Sequence, residues 1–446
     1  MNAVPASHPK TLARKRASFA ILGALSIAAA CLHFASERGV PFATDSRLYQ
    51  AMAEGRMATV PAPFTHRILL PWIARQLRSG LGLALEDAFR LVGMLGLVTL
   101  VASVVWLMQP HLNQVTIAAA ILVTPAFLAL HREIFLSDGL HAALIAACLL
   151  ALHHQRWVTG LVLLFLLQLT RESTLLFSCF LIGVWAVQRK WKPAAGAGLA
   201  TVAGMAVVGG LAGAGQSNIH QTNPIVYMLA KIPFNFLTNV CGVRMWTNTH
   251  AAYNQTAYAD PPMVFWDLPT WFPTGSVHQI GIYKLDLSYP LWVTATWLTL
   301  FGVLPTLVLL VFRRRSRHLL RDRGLSFPVL VAALYGTTCF LIGPLLGAGV
   351  ERLVTYGWPC FWIAVPALLH RYFSLDSGPC NRLAILHSVA CWTPFVARRL
   401  GIDDRTLVAA VSLAIAVPCH AATLLLARRT FDTGCDFMPS NAPATE

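Results

Sequence analysis

This sequence is poor in charge, and poorest in negative charge. Asp and Glu together number 19 in 446 residues, and all charged residues make up 12%. Soluble domains carry about 25%, so the chain lacks the polar surface that would keep a core of this length in water. Other features are missing as well. No Gly-rich phosphate loop follows a strand, which argues against an ATP-driven pump. The absence of His-Glu-x-x-His argues against a zincin-type intramembrane protease. No alternating pattern of barrel strands occurs. No internal repeat is evident, whereas many secondary transporters are two related halves. The 10 cysteines have no Cys-x-x-Cys spacing and fall mostly in apolar stretches, so they read as small buried hydrophobes. No small-residue cleavage site follows the first apolar stretch cleanly, so 17–35 reads as a retained anchor.

What the chain has instead is apolar length. Hydrophobic residues make up 56% and the mean hydropathy is +0.59. They fall in blocks of about 20, enough for a helix to cross roughly 30 Å of hydrocarbon. Only helices or closed barrels satisfy the backbone there. The expected fold is therefore all-α, a polytopic transmembrane helix bundle of about 10–12 spans forming one integral membrane domain over 1–446. Spans are expected near 17–35, 88–108, 114–130, 134–152, 194–213, 290–312, 327–346 and 353–369, with 383–397 and 404–427 to follow. The apolar stretch 157–187 carries Arg171 and Glu172 near its middle and reads as two short helices meeting there.

The net charge of +15 suggests nucleic acid at first sight, but the basic residues punctuate the spans. A cytoplasmic N-terminal tail, 1–16, carries Lys10, Arg14, Lys15 and Arg16. The same face then receives Arg156, Arg189, Lys190 and Lys192, the arginines of 313–323, Arg371, Arg382, and Arg428 and Arg429 at the start of the C-terminal tail 428–446. This follows the positive-inside rule. It implies an integral protein of a bacterial inner membrane and no nucleic-acid partner. Arg398, Arg399 and Arg405 do not fit, since they fall on the outer side. The 313–323 run reads as a topology determinant, with anionic lipid headgroups as a lesser use.

Most acids fall on the outer side, several beside arginine in very short connections: His131-Arg132-Glu133, Arg171-Glu172 and Glu351-Arg352. Asp138 lies one turn into its helix, followed by His141. Charges at membrane depth are costly and usually pair or line a watery cavity. Each pair could be a local ion pair holding a helix end, or all could converge on one pocket. The first outer loop, 36–87, is too long for a simple connection. In it Asp45 and Tyr49 stand at an i, i+4 step. Over 66–79, apolar residues interleave with Arg67, Arg75 and Arg78, as in a helix lying in the interface.

Asp45, Tyr49, and then Pro63-Phe64-x-x-Arg67-x-Leu69-x-Pro71 resemble the first-loop pattern of the GT-C superfamily of polytopic membrane glycosyltransferases. Thr170-Arg171-Glu172-Ser173 and Glu351-Arg352 are similar to short outer turns of such proteins. Ser46 stands where the family often has a second acid. The resemblance implies transfer of a sugar from a polyprenyl-phosphate donor to a glycan, lipid or protein acceptor at the outer face of the cell envelope. Such a displacement needs a base, for which a partly desolvated carboxylate is suited. Asp45 is the first candidate and Asp138 the second. Arg352, Arg171 and Arg67, in that order, are candidates to bind the donor phosphate. Glu133, Glu172, Glu351, Tyr49 and His66 would support them. No cofactor is demanded by any spacing. Magnesium or manganese could share the task, with Asp45, Glu133 and Asp138 as oxygen ligands.

The second outer loop, 214–289, holds many aromatics and reads mainly as an interfacial lid. Two alternatives to the transferase stay open. One is a transporter or flippase of lipid-linked sugars. The other is an outer-face glycan polymerase or ligase, which tends to place its large loop late in the chain.

Overall fold

The computed structural model describes residues 45–60, 64–108, 111, 120–121, 124, 135–213, 224–247, 264–267, 279–319, 325–346, 357–373 and 377–431. The expected first span, 17–35, and nearly all of 114–130 lie outside these residues. The loop region begins with α1 (Ser46–Ala53), two short 3-10 turns (Met57–Thr59 and Phe64–His66) and α2 (Leu69–Leu81). The bundle follows: α3 (Leu85–Met108), α4 (Asp138–His153), α5 (Trp157–Gln168), α6 (Thr174–Val187) and α7 (Trp191–Gly213). Next come α8 (Pro224–Asn239) and three strands, β1 (Val243–Thr247), β2 (Val264–Asp267) and β3 (Gln279–Leu285). The chain closes with α9 (Ser288–Thr299), α10 (Leu304–Leu319), α11 (Phe327–Leu346), α12 (Trp358–Tyr372), α13 (Ser377–Arg399) and α14 (Arg405–Thr430).

This is an integral membrane protein built as a polytopic helical bundle. Among the described residues, α3, α7, α11 and α14 are each long and apolar enough to cross a membrane. The stretch 157–187 is two short helices, α5 and α6, joined at Arg171 and Glu172, as the polar pair predicts. Residues 383–397 belong to a longer helix, α13, which begins at Ser377.

Two features differ from expectation. The segment 290–312 is not one straight helix, because α9 and α10 meet at a 75° bend. Gly302 adopts φ +48 at this break, and a Cβ there would collide with the ring and carbonyl of His387. Backbone groups freed by a break must be satisfied again inside a bilayer. His420 Nε2 accordingly donates to Leu298 O at 2.9 Å, and Thr306 Oγ1 donates to His420 Nδ1 at 2.6 Å. Secondly, the loop 214–289 contains a small antiparallel sheet in the order β1-β3-β2. The pairs Met245 with Ile282 and Trp266 with Ile280 set its register.

Aromatic contacts show how the helices are aligned. Trp185 stacks on Phe327 at 4.5 Å, so the C-terminal end of α6 meets the start of α11. Trp157 joins the same end through Trp185 at 5.6 Å. Phe177 meets Tyr335 halfway along. At the other end, the Asn235 and Asn239 amides donate to the carbonyls of Leu345 and Pro344, placing α8 beside the end of α11. Gly242 O accepts from Asp286 N at 2.8 Å, which brings the start of α9 there too.

α13 and α14 are antiparallel neighbours. Arg405, opening α14, lies over Trp292 of α9, whereas Phe431 after α14 bridges to Phe373 after α12 and lies under Arg314 of α10. The bundle therefore has two ends. One carries the α5–α6 turn and the starts of α4, α9 and α14. The other carries Arg156, Arg189, Arg314, Arg371, Arg428 and Arg429. The basic punctuation of the sequence thus gathers at one end, and the Arg398–Arg405 turn stands at the opposite one.

Candidate functional site

The first loop is drawn onto the bundle by its own residues. α1 buries Tyr49, Ala51, Met52 and Ala53 and ends at Gly55, whose φ of +84 permits the reversal. Asp45 stands immediately before this helix, half-buried, with helical dihedrals. It precedes Tyr49 by four residues, about 6 Å along a helix axis. The 3-10 turn Phe64–His66 then presents Arg67, whose N–H bonds back to Phe64 O at 2.9 Å. The guanidinium lies 5.0 Å from the Phe64 ring. Leu69 N donates to Leu169 O at 3.0 Å, a backbone bond from the loop to the end of α5.

Side chains complete the docking. Arg67 is buried and forks onto Glu172, Nε to Oε1 at 3.2 Å and Nη2 to Oε2 at 3.4 Å. Its Nη1 donates to the Tyr49 hydroxyl at 3.3 Å, and that hydroxyl lies 3.4 Å from Ser137 Oγ. Arg171 forms an ion pair with Asp138 in which both side chains are almost fully enclosed. So the adjacent residues Arg171 and Glu172 bond to two other segments, one to the start of α4 and one to the first loop.

The turn between α5 and α6 is fixed from below. Thr170 Oγ1 donates to Leu167 O at 2.6 Å, which spends its hydrogen. His141 Nδ1, 2.8 Å from the same oxygen, must therefore be the donor, and His141 Nε2 is left to accept from Ser173 Oγ at 3.5 Å.

Electrostatics follow from this wiring. Glu172 keeps 35% of its side chain exposed, and the loss of the rest of its hydration opposes ionisation. Arg67 and Arg171 together outweigh it and hold the carboxyl below its usual value of 4.5.

Of the expected site residues, Tyr49, Arg67, Asp138, Arg171 and Glu172 meet around the α5–α6 turn and the start of α4. Asp45 adjoins them through α1, and His66 immediately precedes Arg67, partly exposed. Glu133, Glu351 and Arg352 lie outside the described residues. Among the described residues, no three His, Cys, Asp or Glu side chains are grouped to hold a metal ion. Ser137 was not anticipated, and neither was the pairing of Arg67 with Glu172, 105 positions apart.

No protein-family model matches this sequence, and no curated protein matches it. Among solved structures the chain is similar to apo ArnT from Cupriavidus metallidurans, with 14% sequence identity and a TM-score of 0.42 over 90% of this chain and 76% of that one.

Proposed function

We propose that this chain is a membrane glycosyltransferase that moves a sugar from a polyprenyl-phosphate donor to an acceptor, working at the end of the bundle that carries Asp45. One observation supports this reading above others. The loop bearing Asp45, Tyr49 and Arg67 is wired to Asp138, Arg171 and Glu172, so acids and arginines from three distant segments share one membrane end.

In the reaction, the acceptor hydroxyl oxygen attacks the anomeric carbon. The bond from that carbon to the donor phosphate oxygen breaks, and the electron pair leaves on the lipid phosphate. Asp45, half-buried and beside the network, takes the hydroxyl proton. Asp138 is the lesser candidate because Arg171 already occupies it. Arg171 and Arg67 supply fixed positive charge for the departing phosphate, and Arg352 is proposed for the same task. In this reading 36–87 and 214–289 face the outside of a bacterial inner membrane, and the N-terminus is cytoplasmic.

Membranes containing the protein should transfer radiolabelled sugar from a polyprenyl-phosphate donor. Asp45→Asn should lower the rate by about 10²–10⁴-fold, the usual range for a general base. Equal transfer by wild type and variant would remove Asp45 from catalysis. A second reading, transport of lipid-linked sugars, draws on the break between α9 and α10, since interrupted helices line substrate paths in many transporters. Absence of transfer with any donor, together with movement of the labelled lipid across vesicles, would favour it.

A further inference from the structure

A second group of arginines stands at the same end, on other elements. Arg244 of β1 lies 4.3 Å from the Tyr289 ring. Arg405, opening α14, lies 5.8 Å from that ring and 4.5 Å from Trp292. Arg398, near the end of α13, covers Trp292 at 5.1 Å. The order Arg244, Tyr289, Arg405, Trp292, Arg398 forms a ladder of alternating cations and rings.

We propose that this ladder binds the phosphate of an anionic phospholipid at the membrane surface. Stacking engages the face of a guanidinium, while its N–H donors lie in the plane and point outward. Among the described residues, Arg398 and Arg405 have no ion pair or side-chain hydrogen bond, and both are exposed. The nearby acids are Asp403, which is exposed, Asp404 and Asp286, and the charge of Asp286 also acts on Arg244. Asp404 accepts from Leu407 N at 2.7 Å to cap α14, and Asp286 accepts from Ser288 Oγ at 2.5 Å and lies 3.8 Å from Lys284. Arg398 and Arg405 thus sit together, with Arg244 at the end of the ladder, where the charge pattern of the sequence leaves Arg398 and Arg405 unexplained.

The surroundings select a lipid over a soluble anion. Leu400 is 76% exposed, and Val396, Phe395 and Leu407 are exposed around it. They offer an apolar surface for acyl chains beside the charged edge. Trp and Tyr are also residues of the membrane–water boundary. A net negative headgroup matches the ladder better than a zwitterionic one, whose own cation would face the arginines. This proposal does not depend on the glycosyltransferase reading.

The test uses the full chain in neutral detergent, titrated with short-chain phosphatidylglycerol, short-chain phosphatidylcholine or inorganic phosphate. Phosphatidylglycerol should raise the melting temperature, and the other two should not. Phosphatidylglycerol with brominated chains should quench tryptophan fluorescence, less so in Trp292→Phe. Arg398→Gln with Arg405→Gln should weaken the apparent affinity by on the order of tenfold or more, given the usual contribution of each arginine near an anionic lipid surface. Arg428→Gln with Arg429→Gln, at the opposite end, should leave it unchanged. Arg398→Lys with Arg405→Lys, which keeps the charge, should retain part of the binding and serves if the Gln variant does not fold. Equal stabilisation by both lipids, full reproduction by inorganic phosphate, or equal loss in the Arg428 and Arg429 variant would each overturn the proposal. So would quenching by brominated lipid that Trp292→Phe leaves unchanged.

Discussion

Two groups of arginines at one end of this bundle show opposite ways of holding a guanidinium. Arg67 and Arg171 are buried and answered by carboxylates, Glu172 and Asp138. Arg398 and Arg405 are exposed and answered by aromatic faces. Burial explains the difference. A charge removed from water costs several kcal/mol unless it is paired, whereas an exposed one keeps its hydration and needs only a surface to lie on. The buried arginines are held rigidly by their carboxylates, while the stacked ones lie at the surface with their edges open to solvent.

Removing one buried partner should break this contrast most severely. Arg171→Ala removes the guanidinium from the enclosed Asp138 carboxylate and should cost about 3–5 kcal/mol, measured as thermal unfolding in detergent. The double change Arg171→Met with Asp138→Leu should recover most of that loss. A double variant as unstable as Arg171→Ala would mean that the pair is not what holds α4 to the α5–α6 turn.

A smaller effect is expected from Arg67→Lys, which keeps the charge and loses the fork onto Glu172. It should weaken docking of the first loop by about 1–3 kcal/mol, seen as faster amide exchange in α1 with the bundle helices unaffected. Smaller still is the effect of pH on the same contact. The Glu172 carboxyl is held below 4.5 in the fold. Its contribution is therefore complete above pH 4.5 and is lost as pH falls through the lower, folded value. Exchange in α1 should rise over that acid range in wild type, and Glu172→Gln should flatten the dependence. Parallel curves for the two proteins would assign the acid response to another group. Least of all, Arg398→Gln with Arg405→Gln should shift stability in lipid-free detergent by no more than about 1 kcal/mol, since exposed stacking is weak.

Much of this was legible along the chain. The apolar blocks predicted the helices, and the polar interruption Arg171-Glu172 predicted where α5 ends and α6 begins. The step from Asp45, just before α1, to Tyr49 within it, and an amphipathic segment after Arg67, were also readable from spacing. The bend at Gly302 was not, because an apolar run looks the same whether it crosses straight or turns. The imidazole that leaves no room for a Cβ at Gly302, that of His387, lies 85 positions away by sequence number, on α13. The sheet was obscured by a loop whose aromatics suit an interfacial lid as well as strands.

The sequence by itself determined that this is a membrane protein, since a chain so short of charge and so rich in long apolar blocks has no other stable solvent. It also determined that the two ends differ in basic residues. Only the tertiary structure decided which charges answer which. Arg171 and Glu172 are neighbours, and a linear reading joins them to each other or to a common site without distinction. Folding brings the start of α4 to one of them and the first loop to the other. The high cost of an unpaired buried charge is the physical reason these two ion pairs form where they do.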